Sequence, residues 1–173
     1  TRRDAAKLIV EKNITGIDID ERAWQLSYFA VMMKARQYSP YAFQDITSIS
    51  LFHMQETKGW NDNLLNFIAG RAGTHLRDDL DKLKAAYKDA KTLGSIIRPP
   101  DIKTHDIREH YWGNIKGHHY HNLEELGLQN SAEKIFEPIL VQHMKLEKKY
   151  FAVVTNPPYM GSGGMNHLLN SYV

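Results

Sequence analysis

Ile14-Thr15-Gly16-Ile17-Asp18-Ile19-Asp20 is the stretch on which the reading of this chain turns. Three β-branched isoleucines in alternation, with carboxylates flanking the last of them, predict the end of a short buried strand. Asp20 then stands where a helix begins, and its side chain can take up the unpaired N–H groups of a first turn. Downstream, Ala23, Leu26, Ala30, Met33 and Ala35 recur at helical spacing, so a helix is expected through Arg36. Upstream, Ala5, Leu8 and Ile9 do the same between Asp4 and Lys12, which gives a unit of helix, strand and helix.

Further out the pattern repeats. Pro40 closes the helix, and Ile46 to Met54 (ITSISLFHM) is the next strand candidate, running into Gln55 and Glu56. Leu64, Leu65, Phe67 and Ile68 mark a short amphipathic helix, and Leu76, Leu80, Leu83, Tyr87 and Ala90 a longer one. Leu93 to Pro100 reads as a short strand or a buried turn, residues 101 to 130 carry no clear period, and Ser131 to Lys149 is helical with Pro138 inside it. Tyr150 to Thr155 (YFAVVT) is a last strand, feeding directly into Asn156-Pro157-Pro158-Tyr159. Alternating strands and helices predict an α/β fold, a parallel sheet with crossover helices. Ligands of such sheets bind at the carboxyl ends of the strands. That rule gathers Asp18, the Gln55/Glu56 pair and the proline turn along one edge.

Bulk properties bound the function without choosing it. The 173 residues suit about one domain, and 42% hydrophobic with 24% charged residues is ordinary globular composition. A net charge of +2 permits a nucleic-acid partner without arguing for one. With no cysteine there is neither a disulfide framework nor a thiolate metal site, and a cytoplasmic chain is the expectation. No apolar run of about 18 residues is present, so no membrane partner is expected. The histidines of Gly117 to His121 (GHHYH), with His105 and His110, lack the spacing of a structural zinc site, and no metal is expected.

Two groups of residues carry chemistry. An acidic side chain in the position of Asp18 can accept from both hydroxyls of a cofactor ribose, or it can simply close the turn before the helix. Ile19 beside it would pack on an adenine ring or on the core. A rigid Asn-Pro-Pro segment can aim the Asn156 side-chain oxygen and the Pro157 carbonyl at one amino group, leaving its lone pair free to attack an electrophile. The Tyr159 ring could stack on a flat substrate such as a flipped base.

The combination of ITGIDIDERAWQLSYFAVMMKAR with YFAVVTNPPY resembles the amino-group methyltransferases that use S-adenosylmethionine, among them the adenine-specific DNA methyltransferases. The tail NPPYMGSGGMNHLLNSYV and the central DAKTLGSII look most like the PglX methyltransferases of BREX phage-defence systems, with the restriction-modification enzymes close behind. That resemblance implies a Rossmann-like methyltransferase fold, here incomplete and interrupted by a mainly helical insertion over residues 57–130. It implies that Asp18 binds the cofactor ribose, that Asn156, Pro157 and Tyr159 receive the target amino group, and that the cofactor adenine is met after the next strand, at Gln55 or Glu56, with Glu56 preferred. Double-stranded DNA with a flipped adenine, and other defence-system subunits, are the implied partners. The family's glycine-rich cofactor loop is expected before Thr1 and its target-recognition domain after Val173, so the piece by itself is expected to be inactive. Methylation of a protein glutamine or an RNA base, or a non-catalytic methyltransferase-like scaffold, are the alternatives.

Overall fold

The computed structural model describes residues 1–70 and 74–155, which fall into two units, Thr1–Met54 and the chain from Gln55 onward. Asn156, Pro157 and Tyr159 lie outside the described residues.

In the first unit, α1 (Arg2–Leu8) starts on a capping box. Thr1 accepts from the Asp4 N–H while the Asp4 carboxylate reaches back to the residue 1 backbone nitrogen. The helix widens into a π-turn at Ile9–Asn13 and gives way to β1 (Thr15–Asp18). Then come α2 (Glu21–Tyr38), the single turn α3 (Ala42–Asp45) and β2 (Ser50–His53). β1 and β2 pair in parallel, with Thr15 opposite Ser50 and Asp18 opposite His53. Parallel neighbours need a crossover, and α2 with α3 supplies it. The expected helix, strand, helix and strand are therefore present. Among the described residues the sheet has two strands.

The face that α2 buries differs from the expected one. Met32 and Ala35 turn inward onto Val10, Ala42 and Ile46, whereas Leu26 is 68% exposed and Met33 43%. The apolar residues of α2 surround much of its circumference, so spacing alone does not choose the stripe. The indole of Trp24 makes the choice, donating Nε1–H to the Leu51 carbonyl at 2.8 Å and tying α2 to β2. At the other end of the unit Arg3 grips both oxygens of Asp45, each at 2.5 Å.

The second unit is helical among its described residues. α4 (Asp62–Ala69) is capped by Asn61, whose side chain accepts from Leu64 N–H. α5 (Thr74–Ala86) and the single turn α6 (Ala90–Leu93) follow. α7 (Thr104–His110) runs into a π-turn at Tyr111–Lys116. α8 (Leu123–Ser131) passes through a second π-turn, Ala132–Phe136, into α9 (Glu137–Leu146). Pro138 sits in the first turn of α9, where its missing N–H would have no partner in any case. Leu76, Leu80, Leu83, Tyr87 and Ala90 are all buried as their spacing predicts, together with Phe136, Ile139 and Leu140. Trp60 and Tyr111 both lean on Phe136, with ring centroids 5.3 and 5.1 Å away.

Of the two readings of Leu93 to Pro100 the turn holds, although it is not buried, and the last expected strand has no ladder. Leu93 to Pro100 is the end of α6 and a 3-10 turn at Gly94–Ile96, because Gly94 at φ 55° ends the helix and two prolines beyond it donate nothing to a ladder. Tyr150 to Thr155 has strand-forming residues but no ladder partner among the described residues, and Phe151, Val153 and Val154 are exposed. A strand exists only as a pair. Among the described residues no helix is long and apolar enough to cross a membrane.

Candidate cofactor site

Asp18 is the last residue of β1, at the carboxyl end of the parallel pair. Its carbonyl oxygen accepts from Met54 N–H at 2.7 Å, which extends the ladder one step past His53. Its Oδ1 accepts from Asp20 N–H at 2.9 Å, a side-chain turn that fixes the carboxylate plane. Oδ2 has no partner among the described residues, and the residue is half-buried. Closing the turn therefore occupies one oxygen and leaves the other as an open acceptor.

Asp20 takes the separate task of capping α2. Its Oδ1 accepts from Arg22 N–H at 2.8 Å and Ala23 N–H at 2.9 Å. Ile19, between the two carboxylates, is 51% exposed and so does not serve the core. The indole of Trp24 lies against His53 at 5.2 Å between centroids, bracing the end of β2 from the first turn of α2. Gly16 leaves room for the Leu51 side chain of β2, since a Cβ there would come within 2.6 Å of Leu51 Cδ2.

Glu56 belongs to the second unit. Its Oε1 accepts from Lys91 N–H at 3.2 Å in the first turn of α6. Its Oε2 lies 2.6 Å from Lys58 Nζ, and this hydrogen-bonded partner raises the pKa of the lysine. Gln55, just before it, is held by Gln142 of α9, whose Oε1 accepts from Gln55 N–H at 2.6 Å and whose Nε2 donates to Gln55 O at 3.3 Å. Thr57 donates its N–H to Tyr87 O at 3.2 Å and its hydroxyl to Lys84 O at 2.8 Å.

Sequence reasoning missed Gln142 and His143. The signal was available: two polar residues continue the apolar run of Ile139, Leu140 and Val141 on a helix with a buried face, and both are fully buried. The histidines that invited a metal reading turn to other partners. His118 packs edge-on to Tyr120 at 4.6 Å, His110 meets Asn114, and His105 lies 4.0 Å from Glu109. Among the described residues no group of three or more His, Asp or Glu could hold a metal ion.

A carboxylate at the end of a parallel strand, one oxygen fixed by the next turn and one open, fits a ligand that presents hydroxyl donors, as a ribose does. Comparison with known proteins gives the family. Residues 12–173 match the model of the Eco57I restriction-modification methylase family. The chain is 31% identical over 180 residues to the adenine-specific methyltransferase PglX of Lacticaseibacillus casei (strain Zhang), covering 100% of this chain and 14% of that protein. It is also 31% identical over 194 residues to the adenine-specific methyltransferase BrxX of Escherichia coli O9:H4 (strain HS), covering 98% of this chain and 15% of that protein. The chain thus spans a small part of the length of the relatives it matches. With residues 12–173 inside one family model, the chain belongs to the Eco57I restriction-modification methylase family.

Proposed function

We propose that this chain forms part of the catalytic domain of a site-specific DNA adenine methyltransferase serving restriction-modification or phage defence. The observation that carries the reading is the open Oδ2 of Asp18 at the carboxyl end of β1, in a chain of a DNA-modifying family. On this reading β1 and β2 are neighbours in a larger Rossmann-like sheet, and residues 57–130 are an insertion into it.

S-adenosylmethionine, when bound, supplies an electrophilic methyl group on a sulfonium centre. Asp18 accepts from the ribose hydroxyls, with the N–H of Asp20 keeping the carboxylate from rotating. The exposed side chain of Ile19 offers an apolar surface to the adenine ring, and Glu56 accepts from its amino group. The Asn156 side-chain oxygen and the Pro157 carbonyl accept the two hydrogens of the target N6 amine, and Tyr159 stacks on the flipped base, worth about 1–3 kcal/mol. With both hydrogens so held, the amine's lone pair would be free to take the methyl group, an exchange in which the N–CH3 bond forms as the S–CH3 bond breaks to leave a neutral thioether, and one amine proton passes to water. Duplex DNA is the substrate, and other subunits of a defence system are the further partners.

The test is methylation of duplex DNA by the protein at its full encoded length, with isotopically labelled cofactor. Asn156→Ala is expected to lower the rate about 100-fold, the order of effect of removing one preorganised polar contact to the reacting group. Equal methylation by the variant and the parent would overturn the role of the turn.

A further inference from the structure

A ring of hydrogen bonds closes on Asp18, all of it within the first unit. The Asp20 N–H donates to Asp18 Oδ1 at 2.9 Å. The carbonyl of Asp20, the N-cap of α2, accepts from the Trp24 N–H at 3.0 Å. The indole Nε1–H of the same Trp24 donates to the Leu51 carbonyl of β2 at 2.8 Å. β2 then leads back to the start, since the Met54 N–H donates to the Asp18 carbonyl at 2.7 Å. Asp18 is thus held at its backbone from β2 and at its side chain from the entry of α2, and Trp24 joins the two supports. Its ring also lies against His53, which stands opposite Asp18 in the register. Tryptophan suits this place because it combines a flat apolar body with an N–H that only donates. A phenyl ring could pack against His53 but would leave the Leu51 carbonyl without this donor.

From this ring we infer that Trp24 is a positioning residue for cofactor binding: its indole fixes the entry of α2 against β2, so that the Asp20 N–H holds one Asp18 oxygen and the other meets the ribose hydroxyls. The inference rests on the proposed methyltransferase reading. Freeing α2 from β2 leaves Asp18 on its strand but lets the carboxylate turn, and an acceptor that must be ordered on binding holds its ligand less tightly. On this reading Trp24 touches no reacting atom, so the effect falls on cofactor binding and not on the transfer step.

The experiment measures KM for S-adenosylmethionine and kcat on duplex DNA, using the protein at its full encoded length. Trp24→Phe removes the donor and keeps a ring beside His53. It is expected to raise KM about fivefold while kcat stays within about twofold. Benzothienylalanine in place of Trp24 keeps the bicyclic shape and puts sulfur where the N–H was, and is expected to give the same rise. Val10→Ala opens a cavity in the core cluster of the same unit, to which Trp24 does not belong, and is expected to leave KM within about twofold. In an Asp18→Ala background the Trp24 substitutions are expected to add nothing further to KM, because the carboxylate through which they act is gone. An unchanged KM in the Trp24 variants, an equal rise in Val10→Ala, or a full further rise on top of Asp18→Ala would each overturn the inference; the benzothienylalanine variant decides it should Trp24→Phe fail to fold. Asp18→Ala alone separates the two levels of the argument. If it leaves KM unchanged, the reading of the site falls and this inference with it; if it raises KM and the Trp24 variants do not, only the role of Trp24 falls.

Discussion

The phenol of Tyr87 meets Nδ1 of His143 at 3.0 Å, deep in the second unit, and the contact fixes which nitrogen of the imidazole carries its proton. Thr104 donates its hydroxyl to Glu147 at 2.7 Å, so its oxygen must accept from His143 Nε2 at 3.0 Å. Nε2 is then the protonated nitrogen, and Nδ1 accepts from Tyr87. Burial drives the phenol pKa upward, with the Glu147 charge adding to it, so the phenol remains a donor.

A pH dependence follows from the same network. Burial lowers the pKa of His143 from its ordinary 6.5, against the opposing pull of Glu147. In the unfolded chain the imidazole takes up a proton as pH falls through that ordinary value, whereas in the folded chain it stays neutral to lower pH. Stability is therefore fully present above 6.5 and declines below it, toward the folded pKa. Urea unfolding of the chain between about pH 7.5 and about pH 5.5 should show a falling midpoint, and His143→Gln should flatten the trend. Carboxylates of depressed pKa such as Asp45 act at lower pH, outside that window.

Tyr87→Phe removes the donor and leaves Nδ1 buried without a partner. A loss of about 1–3 kcal/mol is expected, read from the urea midpoint at pH 7.5, where the imidazole is neutral in both states. A loss below about 0.5 kcal/mol would mean that the phenol oxygen contributes nothing there beyond its ring.

Ser39 gives the opposite sign. Its hydroxyl is buried at the end of α2 and has no partner among the described residues. Ser39→Ala is expected to raise stability by about 1 kcal/mol, since the desolvated oxygen is removed and no hydrogen bond is lost. Thermal unfolding of the variant checks this directly.

Asp18 and Asp20 should separate cleanly. Asp20→Ala removes the cap on Arg22 and Ala23 and is expected to cost about 1 kcal/mol, with cofactor affinity little changed. Asp18→Ala removes one exposed hydrogen bond and should cost less than about 0.5 kcal/mol, but on the proposed reading it weakens cofactor binding about tenfold. Unfolding midpoints and titration calorimetry on the same two variants give both numbers.

Gly16→Ala is expected to destabilise by less than about 1 kcal/mol, because its Cβ would fall 2.6 Å from Leu51 Cδ2, the free end of a side chain that can turn aside. A double-mutant cycle with Leu51→Ala should recover that loss, a coupling absent if the strands simply move apart.

How far the sequence could be read depends on whether the determining interaction is local. β1, the cap at Asp20 and the helix after it were legible because β-branching, a short acidic side chain and a 3.6-residue period act within a few residues. The core positions of α5 were legible for the same reason. The face that α2 buries was not, since it depends on where the Trp24 indole meets the Leu51 carbonyl, 27 residues away. The composition of residues 150–155 predicts a strand, but a ladder requires a second chain segment, which composition cannot supply. In the candidate site, Asp18 was recognisable from its place after a strand, whereas the hold of Gln142 on Gln55 joins residues 87 apart and has no local pattern.

By itself, then, the sequence determined the β1–α2 unit, the identity of its strand-end carboxylate and the family to which the chain belongs, because these rest on side-chain type and short-range order. Only the tertiary structure decided that Asp18 keeps one oxygen open, that Glu56 faces Lys91 and Lys58, and that a buried glutamine grips the segment between β2 and α4. Each of those outcomes is set by which polar groups meet once the chain has folded. Burial makes an unmet donor or acceptor costly, and that cost, more than any residue's own preference, selects the partner.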